Sequence, residues 1–234
     1  MPTINFLNYN IDKESMDNSP VPAIKAMSEW YKKIPKYNEN QLPDDPTIST
    51  VKGCMPFFDA MSSGYVFLTP CDIEFYIEDN IPKVKIFDDN FLDFVGTREP
   101  IKGFFHPKEC YEIHFHWLPN WAVSLEDGYS AIYLNPLNRY ELPFVTTSGI
   151  IDNDSMNARG QIPFFLKHTD KSIFLQKGTP FVQIIPIKRE DWISNPISLT
   201  KEESLSKYEF ALSKYRSVKN GGYKAIDWNR KNFK

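Results

Sequence analysis

Short apolar stretches, cut at close intervals by turn residues, constrain this chain more than any other feature of it. Proline cannot sit in a helix interior or a central strand, and Gly, Asn and Asp supply the backbone angles of tight turns. Eighteen prolines stand against ten glycines in 234 residues, with Phe and Tyr scattered throughout. The spacing predicts strands over 73–77, 84–87 and 112–118, then 129–134, 162–166, 173–176 and 181–187. Asp127-Gly128 and Lys177-Gly178-Thr179-Pro180 mark turns beside them. Many short strands with regular turn signals read as an all-β barrel or sandwich.

Two helices are expected to flank that β region. Over 23–34, Ile24, Met27, Tyr31 and Ile34 form one apolar stripe. Near the other end, Thr200-Lys201-Glu202-Glu203 has capping-box spacing, in which the threonine accepts from the Glu amide and the Glu reaches back. Leu205, Tyr208, Leu212 and Tyr215 then follow at three-four spacing, with a stop near Asn220-Gly221-Gly222. A stripe this narrow docks on the β core or on a partner subunit. Asn38–Thr47 is rich in Asn, Pro and Asp and reads as an extended connector. The expected organisation is an N-terminal helical arm over 1–48, a β core over 49–192, and a C-terminal amphipathic helix with a basic tail over 193–234.

Composition excludes several classes. A hydrophobic fraction of 41 %, with 15 % aromatic residues, supplies a sizeable core and rules out wholesale disorder. The formal charge of −3 gives no global reason to coat nucleic acid or an anionic membrane. Only the tail 214–234, with seven Lys and Arg residues against Asp227, offers a local basic patch for nucleic acid; a solvated terminus is the plainer expectation. No signal peptide or spanning segment is expected, which predicts a soluble protein made in a cytoplasm. Cys54, Cys71 and Cys110 show no paired spacing and read as reduced, buried thiols.

The most specific stretch runs from Gly128 to Lys188. It holds Leu134-Asn135-Pro136-Leu137-Asn138-Arg139, Ser148-Gly149-Ile150-Ile151-Asp152-Asn153-Asp154, Arg159-Gly160-Gln161 and Gly178-Thr179-Pro180-Phe181-Val182-Gln183-Ile184-Ile185. With Met61-Ser62-Ser63-Gly64-Tyr65 upstream, these elements resemble, in order, the motifs of the dUTPase and dCTP-deaminase superfamily. The chain also resembles a tailed-phage protein family that shares Cys54–Ala60, Asn135–Arg139 and Gly178–Pro186. The resemblance implies a mainly β, dUTPase-like β-clip barrel or sandwich, a homotrimer with sites at subunit boundaries, and a phage setting that includes the virion. It places Asp152 as the carboxylate that activates water, with Mg²⁺ on the nucleotide phosphates. Asn135, Arg139, Asp154, Arg159 and Gln183 become the nucleotide-binding candidates.

Departures from the family pattern are as informative. Val66 stands where the first motif carries an acid, and Asn135-Pro136-Leu137 replaces its phosphate-holding Arg-Ser-Gly. Proline has no N–H to offer a phosphate. Ser155 takes the place of the ribose-excluding tyrosine, and Pro163–Leu166 contains no acid where the deaminases carry a glutamate. Only Asn220–Lys224 echoes the closing tail. Catalytic groups act as a unit, so losing several removes most of the rate. The expected function is therefore binding or assembly as a homotrimeric module, alone or with other virion proteins, without a cofactor. The alternative is a divergent Mg²⁺-dependent deoxynucleotide triphosphate hydrolase using Asp152.

A third possibility rests on His114 and His116, which flank Phe115 at strand spacing and so share one face. Cupin-type barrels present two metal ligands in this way, with Glu109, Glu112 or Glu126 as candidates for a third. The plainer expectation is two histidines on a half-exposed strand. Asp152-Asn153-Asp154-Ser155 has its own plain reading as a turn in which carboxylates cap backbone amides.

Overall fold

The computed structural model describes residues 2–9, 18–36, 50–99, 102–216 and 222–234, with backbone only at 214–216. The expected connector over 38–47 and the helix stop at 220–221 lie outside these residues. Backbone contacts divide the chain into two units: one contains 1–26, 63–189 and Phe233, the other 27–62, 190–232 and Lys234. The division differs from the expected boundaries at 48 and 192, because the N-terminal segment belongs with the strands.

Among the described residues of the first unit, fourteen antiparallel strands form four sheets. They are β1 (Ile4–Asn8), β2 (Val21–Pro22), β3 (Tyr65–Leu68), β4 (Ile73–Glu78), β5 (Ile81–Ile86), β6 (Val95–Arg98) and β7 (Cys110–Trp117). Then come β8 (Trp121–Leu125), β9 (Tyr129–Leu134), β10 (Phe144–Thr146), β11 (Gly149–Ile151), β12 (Ile162–Lys167), β13 (Ile173–Leu175) and β14 (Pro180–Lys188). The five-stranded sheet runs β11-β9-β14-β3-β2 and the four-stranded one β10-β12-β7-β6, with β13-β4-β5 and β1-β8 completing the set. The mainly β fold expected from the turn spacing is the one the chain adopts.

Phenylalanines that alternate along these strands build the core. Trp117 stacks on Phe164 at 3.9 Å between ring centroids, and Phe75, Phe94, Phe144 and Phe181 surround it. Each such ring, removed from water, contributes about 1.5–3 kcal/mol. The Trp117 indole donates to Thr146 Oγ1, which itself donates to the Phe181 carbonyl, so the one polar atom of the largest core ring is satisfied. Gly64 enters this core with φ of +70°, and a Cβ there would lie 2.0 Å from the Ile184 carbonyl oxygen. Only glycine fits that approach.

Several expectations need correction here. The helix expected over 23–34 is broken: a 3₁₀ turn covers Ala23–Ala26, and α1 spans only Glu29–Lys33. The Ala26 carbonyl that would continue the helix accepts instead from Arg139 Nη1 at 2.9 Å, and Ser28 is extended at ψ 144°. The N-terminal arm is partly a strand of its own chain, since Ile4–Asn8 pairs with Trp121–Leu125. Strands β2, β3, β6, β8, β10 and β11 are likewise additional to those the turn spacing predicts.

The second unit is helical. Besides α1 it holds α2 (Met55–Ser62), α3 (Lys201–Arg216) and α4 (Gly222–Ile226). Met27, Tyr31 and Met61 form its buried cluster, with Val51, Phe57 and Phe58 against it. The capping box at α3 is formed: the Thr200 N–H donates to Glu203 Oε2 at 2.8 Å, and the Glu203 N–H to Thr200 Oγ1 at 3.2 Å. The described part of the basic tail is not merely solvated. Trp228 Nε1 donates to Asp59, Lys231 pairs with the same carboxylate at 2.7 Å, and Trp228 meets Phe58 edge-on.

Candidate functional site

Three strand ends converge where the sequence places its candidate catalytic acid. β9 lies between β11 and β14, and Ile151 pairs with Ala131 while Lys188 pairs with Tyr129. One residue further along each strand, Asp152 and Arg189 emerge on either side of Gly128–Ser130. Gly128 turns with φ of +84°, and its carbonyl accepts the Arg189 N–H at 2.9 Å. A strand register therefore fixes a side-chain cluster.

Within that cluster both carboxylates are engaged. Ser130 Oγ donates to Asp152 Oδ1 at 2.6 Å, and Arg189 Nη1 lies 3.3 Å from the same oxygen. Asp154 receives the Arg189 guanidinium on both oxygens and the Gly128 N–H at 2.9 Å. Paired, bidentate donation of this kind is the stronger class of ion pair. The Arg189 hydrogen bond, aided by the Gly128 N–H, holds the Asp154 carboxyl down to about 2 and pushes the Arg189 guanidinium up. The side chain of Asp154 is 9 % exposed, whereas that of Asp152 is 63 % exposed.

Between them, Asn153 is buried and ties the turn to the core. Its amide nitrogen donates to the Met156 and Val123 carbonyls, and its oxygen accepts from the Tyr133 hydroxyl at 3.3 Å. Burial pushes the Tyr133 phenol far up. The Asp152 carbonyl accepts the Met156 N–H at 2.8 Å. Turn chemistry and carboxylate positioning thus coexist in the segment.

Asn135, Arg139 and Gln183 lie toward the other end of β9. Asn135 is five residues beyond Ser130, about 17 Å along an extended strand. Its Oδ1 accepts the Thr146 N–H at 3.0 Å. Gln183, fully buried, accepts the Leu137 N–H at 2.9 Å and donates to the Ser63 carbonyl at 2.7 Å. Arg139 pairs with Glu141 and holds the Ala26 carbonyl. Arg159 reaches Asp93 at 3.4 Å. Asp152 and Asp154 are brought together; Gln183 ties Leu137 to Ser63, while Asn135 and Arg139 hold Thr146 and Ala26. Arg189, which completes the charge arrangement, escaped the sequence reading, because only the β9–β14 register shows what it faces.

His114 and His116 do share one face of β7, but that face is covered. They are 3 % and 8 % exposed, and the His114 ring meets Phe104 and Phe165 at 5.4 and 4.7 Å. Burial, with Arg98 as a lesser cause, pushes both imidazoles down. Pro163 and Gly96 stand opposite His116 on the two neighbouring strands. Among the described residues, no three His, Cys, Asp or Glu side chains come together to hold a metal ion. The half-exposed strand of the plainer expectation is thus corrected to a buried one. Cys71 and Cys110 are buried, with burial raising each thiol to about 11, whereas Cys54 is exposed.

No protein-family model and no curated protein matches the chain. Solved structures to which it is similar are dUTPases. The dUTPase of Staphylococcus bacteriophage 80alpha shares 10 % identity over 85 % of this chain and 98 % of its own, with a TM-score of 0.38. The dUTPase of phage phi11 of S. aureus shares 9 % over 71 % of this chain and 96 % of its own, with a TM-score of 0.32. The EIAV dUTPase shares 13 % over 58 % of this chain and 88 % of its own, again with a TM-score of 0.32. Among the described residues, no helix is long and apolar enough to cross a membrane.

Proposed function

We propose that this protein is a dUTPase-like module that acts by binding, as a homotrimer, without nucleotide hydrolysis. The observation that carries the proposal is Arg189, which spans both hairpin carboxylates. An activating carboxylate needs a free lone pair toward water and room for a cation beside the phosphates. Here a guanidinium of the same chain supplies the compensating charge. Two of the nucleotide-binding candidates, Asn135 and Arg139, are engaged within the chain, with Thr146, Glu141 and Ala26.

Self-association is supported by the segment that follows β14. Trp192 and Ile193 are 88 % and 94 % exposed, and Ile197, Leu199, Leu205, Tyr208 and Phe210 are exposed as well. Apolar surface of this extent calls for a partner, and the partner proposed is a second copy of this chain. Assembly of such trimers with other virion proteins extends the same proposal to a phage particle.

Light scattering on the full chain is expected to give three times the monomer mass, and Trp192→Asp with Ile193→Asp is expected to give monomer. A wild-type monomer at micromolar concentration overturns the trimer. A panel of deoxynucleoside triphosphates with Mg²⁺ is expected to yield no pyrophosphate above background. The exposed Asp152 carboxylate favours the second reading, a divergent triphosphate hydrolase. Turnover abolished by Asp152→Asn would establish it.

A further inference from the structure

Away from the hairpin, a cleft of about 520 Å³ opens beside the start of β7. It is lined by the β4–β5 turn (Asn80, Pro82), the loop before β7 (His106, Lys108), Tyr111 and Glu112 of β7, and His168 after β12. Cys110 and Ile113 also border it. Ligand sites for small molecules typically have volumes of about 300–1,000 Å³, with apolar walls and a few placed polar groups.

The walls of this cleft are fixed. The Tyr111 hydroxyl donates to the Thr169 carbonyl at 3.0 Å and accepts the Thr169 N–H at 3.4 Å. The His168 ring lies 4.5 Å from the Tyr111 ring, edge to face, and the His168 N–H donates to the Glu109 carbonyl. Tyr111 and Ile113 also pack on the main core. Asp79 and Asn80 turn with φ of 51° and 62°, the geometry of a tight hairpin. A preorganised aromatic wall of this kind loses little freedom when a ring is laid against it.

One ammonium and one carboxylate border the cleft. The Glu112 side chain is 86 % exposed, with His106 Nε2 3.9 Å away. Among the described residues, Lys108 has no carboxylate partner. The cleft thus joins flat rings for a planar ligand to an ammonium for an anion, with Asn80 and Glu112 to meet polar ring edges. We propose that it binds a small ring compound bearing a phosphate, of the size of a nucleoside monophosphate. The proposal is independent of the chemistry at Asp152.

Isothermal titration of the full chain with AMP, adenosine and inorganic phosphate in separate arms tests it. AMP is expected to bind more tightly than either part alone. Lys108→Ala is expected to weaken AMP by about tenfold or more while leaving adenosine little changed, and His168→Ala is expected to weaken both. Lys25→Ala, on the surface elsewhere, should leave AMP affinity unchanged. Circular dichroism verifies that each variant is folded. No AMP binding at millimolar concentration overturns the proposal, as does an affinity that neither cleft variant alters. AMP binding abolished by Arg189→Met would place the ligand at the hairpin and overturn it equally.

Discussion

Asp152 with Asp154, and His114 with His116, are both pairs of titratable residues two positions apart, and the fold treats them oppositely. The carboxylates end a hairpin, where Arg189 and Ser130 meet them at the protein surface. The imidazoles lie on a central strand, His114 against Phe104 and Phe165, and His116 with its Nδ1 lacking a hydrogen-bond partner among the described residues. Asp154 keeps its charge because an opposite charge is supplied; the imidazoles are held neutral because water is removed. Spacing alone says that two side chains share a face. What covers the face decides whether they can do chemistry.

The largest effect is expected where the imidazoles are packed most tightly. Gly96 faces His116 across β6 and β7, and a Cβ at Gly96 would fall 2.5 Å from the imidazole Cε1. Gly96→Ala is expected to cost about 1–3 kcal/mol in denaturant titration, the usual penalty for overfilling a packed site. Adding His116→Ala should recover part of that loss. Simple additivity of the two changes would show that the ring is not what Gly96 accommodates.

Acid should separate the two pairs next. His114 and His116 are pushed down by burial, so the unfolded chain takes protons first. Their contribution is intact above about pH 6.5 and is lost as pH falls below it, by up to about 1.4 kcal/mol per pH unit for each imidazole. Arg98 and His106 oppose the same protonation in the case of His114. Asp154 behaves in the same sense at lower pH. Its carboxyl is held at about 2, so its stabilisation is present above the unfolded value near pH 3.9 and fades as pH falls toward 2. Stability measured against pH is expected to fall in two separate steps. His114→Gln with His116→Gln should remove the upper step, and Asp154→Asn the lower.

The smallest effect on stability is expected at Arg189. Arg189→Met leaves Asp154 with backbone N–H donors alone, that of Gly128 and its own. By carbon-detected NMR titration, the Asp154 carboxyl should move up toward the ordinary range. An unchanged titration would mean that the backbone, not the guanidinium, sets it.

The sequence reading found the strands with strong apolar runs and clear turn signals, and Tyr129–Leu134 was located to the residue. It missed short strands such as Gly149–Ile151, whose ladder comes entirely from pairing with β9. It also joined Ala23–Ala26 to α1, since periodicity cannot foresee that a distant arginine will take the Ala26 carbonyl. At the hairpin, Asp152 and Asp154 were legible from the motif. Their neutralisation was not, because Arg189 lies thirty-five positions beyond Asp154.

By itself, then, the order of residues determined that this chain would be a β protein of many short strands, with a capped helix near its end and a carboxylate pair in a tight turn. These are local properties, set by backbone preference and alternation over a few residues. Only the tertiary structure decided that the carboxylates face an internal guanidinium, that the strand histidines are buried, and that Tyr111, His168 and Lys108 border one cleft. Each of those outcomes depends on strand register and on what packs above a face, and both arise from contacts between parts of the chain far apart in sequence.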